Sequence, residues 1–451
     1  MKEGMIGLEV HVYLVSKEKL FCKCKAVREK GTPPNKYICP ICTGQPGAKP
    51  MLPNKSAVEK CVKIALMLNC EIEKKLNWQR KHYDWPDLPK GYQNTISGKG
   101  VTLGRNGNFF GVRVRGVHLE EDPAAWDPLT GRVDYNRSGL PLVEIITEPD
   151  FSTAEQVRDW LGKLLWYLQY LRVIGKDAGL KADVNVNIPE KTERVEVKNL
   201  NSIENIARAI EYELERQARE GSNRETRRFD EHKGKTIPMR EKEQAQDYRF
   251  ITDPDLPPIL LTDSFVRKVK ASLPETPEEK LNKLVKHYHI DEKNAEILAR
   301  NIELVEFFEE LAQKVNPQFA LPWVTIELLR HLNYHKTTLA ECEIKVEHFA
   351  RLLELVQNKT ITPLKAKEIL NKFYPKSFYV EGDEESARVD DAAKIREWCE
   401  EVVKENNDVV AKYKSGEEKA INFLIGEVMK KSGKRADFKV VREVLKELLE
   451  Q

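Results

Sequence analysis

Several things are scarce or missing in this chain of 451 residues, and each absence narrows what it can be. No run approaches the ~18 uncharged apolar residues of a membrane span, which excludes an integral helical membrane protein. The N-terminus, MKEGMIGLEV, lacks the apolar stretch and small-residue cleavage site of a signal peptide, so a cytoplasmic protein is expected. Charge of one sign is not in excess: 74 Lys and Arg against 72 Asp and Glu leave +2. Nucleic-acid contacts must then come from local basic patches, not from the field of a polycation. There is no phosphate-binding loop, because Gly98-Lys99 lacks the upstream glycine spacing of G-x-x-x-x-G-K-[ST]. Nor is there a Gly-Ser-rich nucleophile segment, which argues against a serine amidase within the chain.

What is present is enough apolar material (41%) for more than one core, with charged residues at 32% against roughly 25% in an average soluble protein. Strand and helix patterns alternate over residues 1–270 and give way to helix alone beyond the proline-rich DPDLPP of residues 253–258. A second charged, irregular stretch, 381–391, separates two helical blocks. Three regions are expected: an α+β body over 1–270, a helical connector over 271–385 and a small helical tail over 386–451. The body should hold an antiparallel-rich sheet with packed helices and a metal-bearing loop.

Period two phases the strands. Leu8, Val10, Val12 and Leu14 share one face, leaving Gly7, Glu9, His11 and Tyr13 on the other. Val112 and Val114 are followed by Val117 and Leu119, a phase slip at Gly116 that predicts a β-bulge and puts His118, Glu120 and Asp122 on the polar side. Val143 and Ile145 oppose Glu144, while Val184, Val186, Val195 and Val197 alternate with Asp183, Asn185, Glu196 and Lys198. Ser152 with Glu155 reads as a capping box opening an amphipathic helix, and Ile203 through Leu214 forms a second apolar stripe.

Three clusters could carry chemistry. Cys22-x-Cys24 and Cys39-Pro-Ile-Cys42 flank a polar loop and offer four thiolates in two tight pairs, a spacing that favours structural zinc over four unrelated thiols. Cys61, Cys70, Cys342 and Cys399 read as buried small residues. Glu9, His11, His118, Glu120, Glu121, Asp122, Glu144 and Glu148 can gather on one sheet face, as Mg²⁺ with nucleotide phosphates would require; ordinary solvated strand faces are the other reading. Arg224–Lys242 and the group Lys430, Lys431, Lys434 and Arg435 could track a phosphate backbone, or could be solvated surface.

Several segments, taken together, resemble one family. They are IGLEVHVYL, DLPKGYQ, VHLEED, NRSGLPLVEIITEPD, ADVNVNIPE, VEVKNLNSIENIARAIEYELERQ and TRRFDEHKGKTIPMREKEQAQDYRFITDPDLPPI. The family is GatB of the aspartyl/glutamyl-tRNA amidotransferase, and YKSGEEKAINFLIGEVMKKSGKRAD resembles its YqeY-like tail. The resemblance implies a cradle domain that uses ATP and Mg²⁺ to phosphorylate the side-chain carboxylate of mischarged Glu-tRNA(Gln) or Asp-tRNA(Asn). Ammonia made from glutamine by a partner amidase (glutaminase) would then displace phosphate, with a small third protein completing the complex and the helical regions holding the tRNA. It implies His11, Glu121 and Glu144 as magnesium ligands and Glu9, Glu120 and Glu148 as catalytic neighbours. Lys90 and Tyr92 would line the ammonia path or hold the acceptor end, and Lys430, Lys431, Lys434 and Arg435 would bind tRNA. Many members lack the four cysteines, so zinc at Cys22, Cys24, Cys39 and Cys42 rests on spacing.

Overall fold

The computed structural model describes residues 3–29, 31–98, 100–175, 178–239, 249–339, 341–382 and 387–450. Lys99, residues 240–242 of the basic segment and residues 383–386 of the second irregular stretch lie outside them. The chain divides into two compact units, Met1–Thr276 and Pro277–Gln451.

The first unit is built on a sheet of twelve strands. In chain order they are β1 (Met5–Tyr13), β2 (Glu71–Ile72), β3 (Gln79–His82), β4 (Gln93–Thr95), β5 (Gly104–Phe109), β6 (Val112–Glu121), β7 (Pro141–Thr147), β8 (Lys181–Asn187), β9 (Val195–Leu200), β10 (Glu225–Asp230), β11 (Lys235–Pro238) and β12 (Arg249–Thr252). The spatial order is β11-β10-β9-β8-β1-β7-β6-β4-β3-β12, with β5 also on β6 and β2 on β5. Every pairing is antiparallel except β9 with β10, which is parallel.

The alternation of apolar residues dictates which face is covered. Leu8, Val10 and Val12 of β1, Val143 and Ile145 of β7, and Val184 and Val186 of β8 are all buried in one core. Helices α1 (Lys55–Met67), α2 (Ala154–Tyr170) and α3 (Ile203–Glu220) supply the other half of that core, through Val62, Leu161, Leu164, Ile206 and Ile210 among others. The N-cap of α2 sits one residue later than the sequence pattern suggests. Thr153 accepts from Gln156 N at 3.3 Å while Gln156 Oε1 accepts from Ser152 N at 2.8 Å, because Ser152 and Thr153 are equally competent caps and the strand feeding the helix decides.

The predicted bulge is present. Ile146 of β7 pairs with Gly116 of β6, but its neighbour Thr147 pairs with Val114, so Arg115 is the extra residue. The glycine beside it leaves room for the histidine, since a Cβ on Gly116 would meet His118 Nε2 at 2.8 Å and force the ring to shift.

The second unit is helical. Its last long helices, Ala392–Glu405, Ala420–Lys431 and Phe438–Glu450, close around their own core of Ile395, Cys399, Val402, Leu424, Val428, Val441 and Leu445. Cys61, Cys70, Cys342 and Cys399 are buried thiols. Among the described residues no helix is long and apolar enough to cross a membrane.

One buried charge network ties α3 to the β10–β11 hairpin. The carboxylate of Glu213, fully buried, accepts from Arg216 (2.9 Å), Gln217 (3.1 Å) and Thr236, and pairs with Arg227 at 3.1 Å. Removing it would leave two buried guanidiniums short of a counter-charge. Glu213→Ala is therefore expected to cost about 3 kcal/mol of stability, seen as a lowered urea midpoint with little change in slope.

Candidate active site

The face of the sheet turned away from the apolar core is organised by one row across three strands. Register sets His11 of β1 opposite Glu144 of β7, and Glu144 opposite His118 of β6. Glu144 Oε2 lies 2.7 Å from His118 Nδ1, and Oε1 lies 3.4 Å from His11 Nε2. A carboxylate can only accept, so the proton of each bond sits on the imidazole nitrogen. Burial opposes ionisation of Glu144, which is 7% exposed, but the hydrogen bonds from His11 and His118 outweigh it and hold the carboxyl well below its usual range. Burial likewise works against a charged His11, and the hydrogen bond and charge of Glu144, with Glu120 and Asp183 behind, raise its pKa to about 9.

The adjacent glutamates at the end of β6 part company, as successive strand residues must. Glu120 accepts from Thr95 Oγ1 at 2.8 Å and Gln93 Nε2 at 3.1 Å and contributes to the field at His11. Glu121, grouped with His11 and Glu144 by the resemblance, instead accepts from Asn94 N at 2.9 Å and is ion-paired with Lys90. Lys90 also lies over the rings of Tyr92 (5.2 Å) and Phe21 (5.6 Å), while Arg80 covers Tyr92 at 4.5 Å. Lys90 and Tyr92 thus belong with Glu121 and not with the histidine row. Beside them the amide of Asn94 is fully buried with neither of its polar atoms bonded to a described residue.

One step along the sheet from the row, Glu9 pairs across from Asp183 of β8, and Glu196 of β9 completes a group whose ligand oxygens all lie within 4.8 Å of one another. Burial raises the pKa of Glu9, and the charges of Glu144, Asp183 and Glu196 raise it further. Three crowded carboxylates are a donor set that fits a hard divalent cation. Glu148 shares with Glu9 the lining of a cavity of about 260 Å³. In the other direction Tyr13 donates to Asp122 at 2.8 Å, and Arg137 pairs with the same carboxylate at 3.1 Å.

The cysteine loop fits a zinc ion. Cys22, Cys24, Cys39 and Cys42 place their sulfurs within 4.8 Å of one another, and Cys39 and Cys42 sulfurs are 3.9 Å apart, about the edge of a tetrahedron with Zn–S bonds of ~2.3 Å. A hydrogen bond from Cys22 lowers the pKa of Cys42 to about 5 against the opposing effect of burial, aided by Cys39 and by Lys19. The loop is fastened to the sheet by residues 136–138: Asn136 Oδ1 accepts from Tyr37 N at 2.8 Å, and Ser138 Oγ donates to Cys42 O at 2.7 Å.

In the second unit the basic group is largely spent. Lys431 pairs with Glu401 (2.6 Å) and Glu405 (2.9 Å), and Lys434 with Glu368 (3.5 Å). Arg435 donates to Ser432 O, whereas Lys430 is 79% exposed with only a 3.9 Å contact to Glu427. Asp183 and Glu196 were visible as polar alternates in their strands but not as partners of Glu9, because period two gives faces and not strand neighbours.

Comparison with known proteins finds matches in both units. Residues 4–267 match the GatB/GatE catalytic domain and residues 306–449 the GatB domain. The chain is similar to the B component of the aspartyl/glutamyl-tRNA(Asn/Gln) amidotransferase of Methanopyrus kandleri, at 42% identity over 100% of this chain and 99% of that one. The same component from Methanocaldococcus jannaschii is 42% identical over 99% and 98% of the two chains. That of Methanothermobacter thermautotrophicus is 41% identical over 98% and 99%.

Two outcomes follow. Elemental analysis is expected to find one zinc per chain, lost in Cys39→Ser together with a lower melting temperature. In metal-free protein His11 should titrate near pH 9 by NMR. Because its folded pKa is raised, the stability it contributes is complete below its ordinary 6.5 and lost as pH rises through about 9; Glu144→Gln should abolish that loss.

Proposed function

The chain belongs to the GatB family of the aspartyl/glutamyl-tRNA(Asn/Gln) amidotransferase, and from that premise we propose that its acidic face is the site where a tRNA-bound carboxylate is activated with ATP and amidated. The observation that carries the reading is Glu144, ionised and buried between two imidazoles beside a three-carboxylate group. An ordinary solvated face has no reason to bear that desolvation cost.

A side-chain carboxylate is a poor acyl donor. Its oxygen attacks the γ-phosphorus of ATP and ADP departs; ammonia then attacks the acyl carbon and phosphate leaves, giving Gln-tRNA(Gln) or Asn-tRNA(Asn). Magnesium entering with ATP would be held by Glu9, Asp183 and Glu196, and by Glu144 with His11 and Glu120 where their hydrogen bonds yield. Bound there, the ion would neutralise the triphosphate. His11 and His118 keep Glu144 charged and aimed; Tyr13 and Arg137 aim Asp122, whose carboxyl pKa burial pushes up against the pull of Arg137 and the Tyr13 hydrogen bond. Lys90, Glu121 and Asn94 offer buried polar groups past which ammonia from a partner amidase would reach the acyl phosphate. A small third protein would complete the complex. The helical second unit would hold the tRNA, with Lys430 free to meet phosphate at once and Lys431, Lys434 and Arg435 only by exchanging partners. The zinc loop would be structural.

The test is ATP hydrolysis by the complex with Glu-tRNA(Gln). Glu144→Ala is expected to lower ATP turnover by about 100-fold or more while glutamine hydrolysis by the partner amidase persists. Unchanged turnover would reduce the face to a structural feature of a tRNA-binding protein.

A further inference from the structure

The cavity of about 260 Å³ beside Glu9 is lined by Glu148, Asn185, Asn187 and two arginines, Arg115 and Arg194. These guanidiniums differ from their neighbours in one respect. Arg113, two residues away, is bound by Asp150 through two hydrogen bonds of 3.0 and 2.6 Å, and Arg137 by Asp122. Arg115 and Arg194 make no ion pair with any described residue, although Glu9 and Glu148 line the same cavity.

The backbone explains how Arg115 comes to be there. It is the extra residue of the β6 bulge: Gly116 and Val114 pair with consecutive residues of β7, so β7 skips Arg115, while the pairing of β6 with β5 keeps its register through this point. A bulge re-aims one side chain while the strand beyond keeps its register. Here it lets His118 and Glu120 face the site and adds a guanidinium to the same side. Arg194 arrives from the opposite flank, one residue before β9, whose Glu196 belongs to the carboxylate group.

Two free guanidiniums next to three carboxylates offer both signs of charge within one site. They suit a ligand that carries both signs a few ångströms apart, which is what a divalent-cation polyphosphate is. We propose that Arg115 and Arg194 bind the phosphate oxygens of the nucleoside triphosphate while its cation faces Glu9, Asp183 and Glu196. This rests on the reading of the face as an ATP site. The bulge thereby stands in for the glycine-rich phosphate loop that the sequence lacks.

The test uses the full chain and calorimetric titration with the magnesium complex of β,γ-imido-ATP, comparing wild type with Arg115→Ala, Arg194→Ala and the two Arg→Lys variants. Each Ala variant is expected to weaken binding roughly tenfold, and each Lys variant less, with AMP binding and the circular dichroism spectrum unchanged. In the assembled complex the same variants should raise KM for ATP more than they lower kcat. Wild-type affinity in both Ala variants would overturn the assignment. Loss of tRNA binding with nucleotide affinity intact would overturn it in favour of an RNA phosphate contact. If wild type itself bound no nucleotide, the ATP reading would fall, and the proposal with it; the wild-type titration separates that failure from the others.

Discussion

The buried, ionised carboxylate of Glu144 is the constraint on which the rest of the face depends. A carboxylate removed from water costs several kcal/mol unless hydrogen-bond donors replace the solvent. His11 and His118 do so only because β1, β7 and β6 are locked in a register that sets all three residues in one row. A slip of one residue would turn Leu8, Val10 and Val12 away from the apolar core and point Glu9, His11 and Tyr13 into it. The apolar core and the histidine–carboxylate row are therefore two readings of one register, and each penalises the slip that would spare the other. Gly116 belongs to the same constraint, since any side chain there would displace the His118 ring.

Residues 135–139 show how a single segment serves two sites. Asn136 and Ser138 are buried and hold the cysteine loop, while Arg137 between them reaches Asp122 on the acidic face. Lys19 of the loop is itself buried and donates to Tyr135 O at 2.9 Å, and Leu20 N donates to Gly139 O at 2.7 Å. Disturbing the four-sulfur cluster would thus be felt at Asp122 and Tyr13 through the backbone of this segment. A metal held there with no free coordination position would have an indirect bearing on the face.

Much of this was legible in the residues themselves. Period two separated Glu9, His11 and Tyr13 from the buried valines, the phase slip at Gly116 announced the bulge, and the cysteine spacing announced the four-sulfur cluster. What escaped was long-range adjacency. Nothing in ADVNVNIPE says that Asp183 will lie opposite Glu9, and nothing in the tail says that Glu368, Glu401 and Glu405 will occupy Lys434 and Lys431. Parity did place Glu120 on the His11 side, and the structure agrees, with Glu121 turned to Lys90. The N-cap of α2 moved by one residue because two neighbouring hydroxyls compete for it, a choice that tertiary context makes.

The end of β6 is also a partition. Glu120 looks onto the acidic face and Glu121 into a buried polar pocket with Lys90 and Asn94, so consecutive residues border two different environments. Under the proposed reading the two environments handle reagents of opposite character. The triphosphate is highly charged and needs cations, guanidiniums and open solvent to enter; ammonia must stay neutral and needs a path lined by buried polar groups that keeps bulk water away. One strand end can serve both because pleating alternates its side chains. The two side chains are chemically identical, so pleating alone cannot give them different roles. The difference lies in what each carboxylate meets: hydroxyl and amide donors on one side, an ammonium on the other. The division of labour therefore resides in β4 and the segment before it, which supply Gln93, Thr95 and Lys90, more than in the glutamate pair.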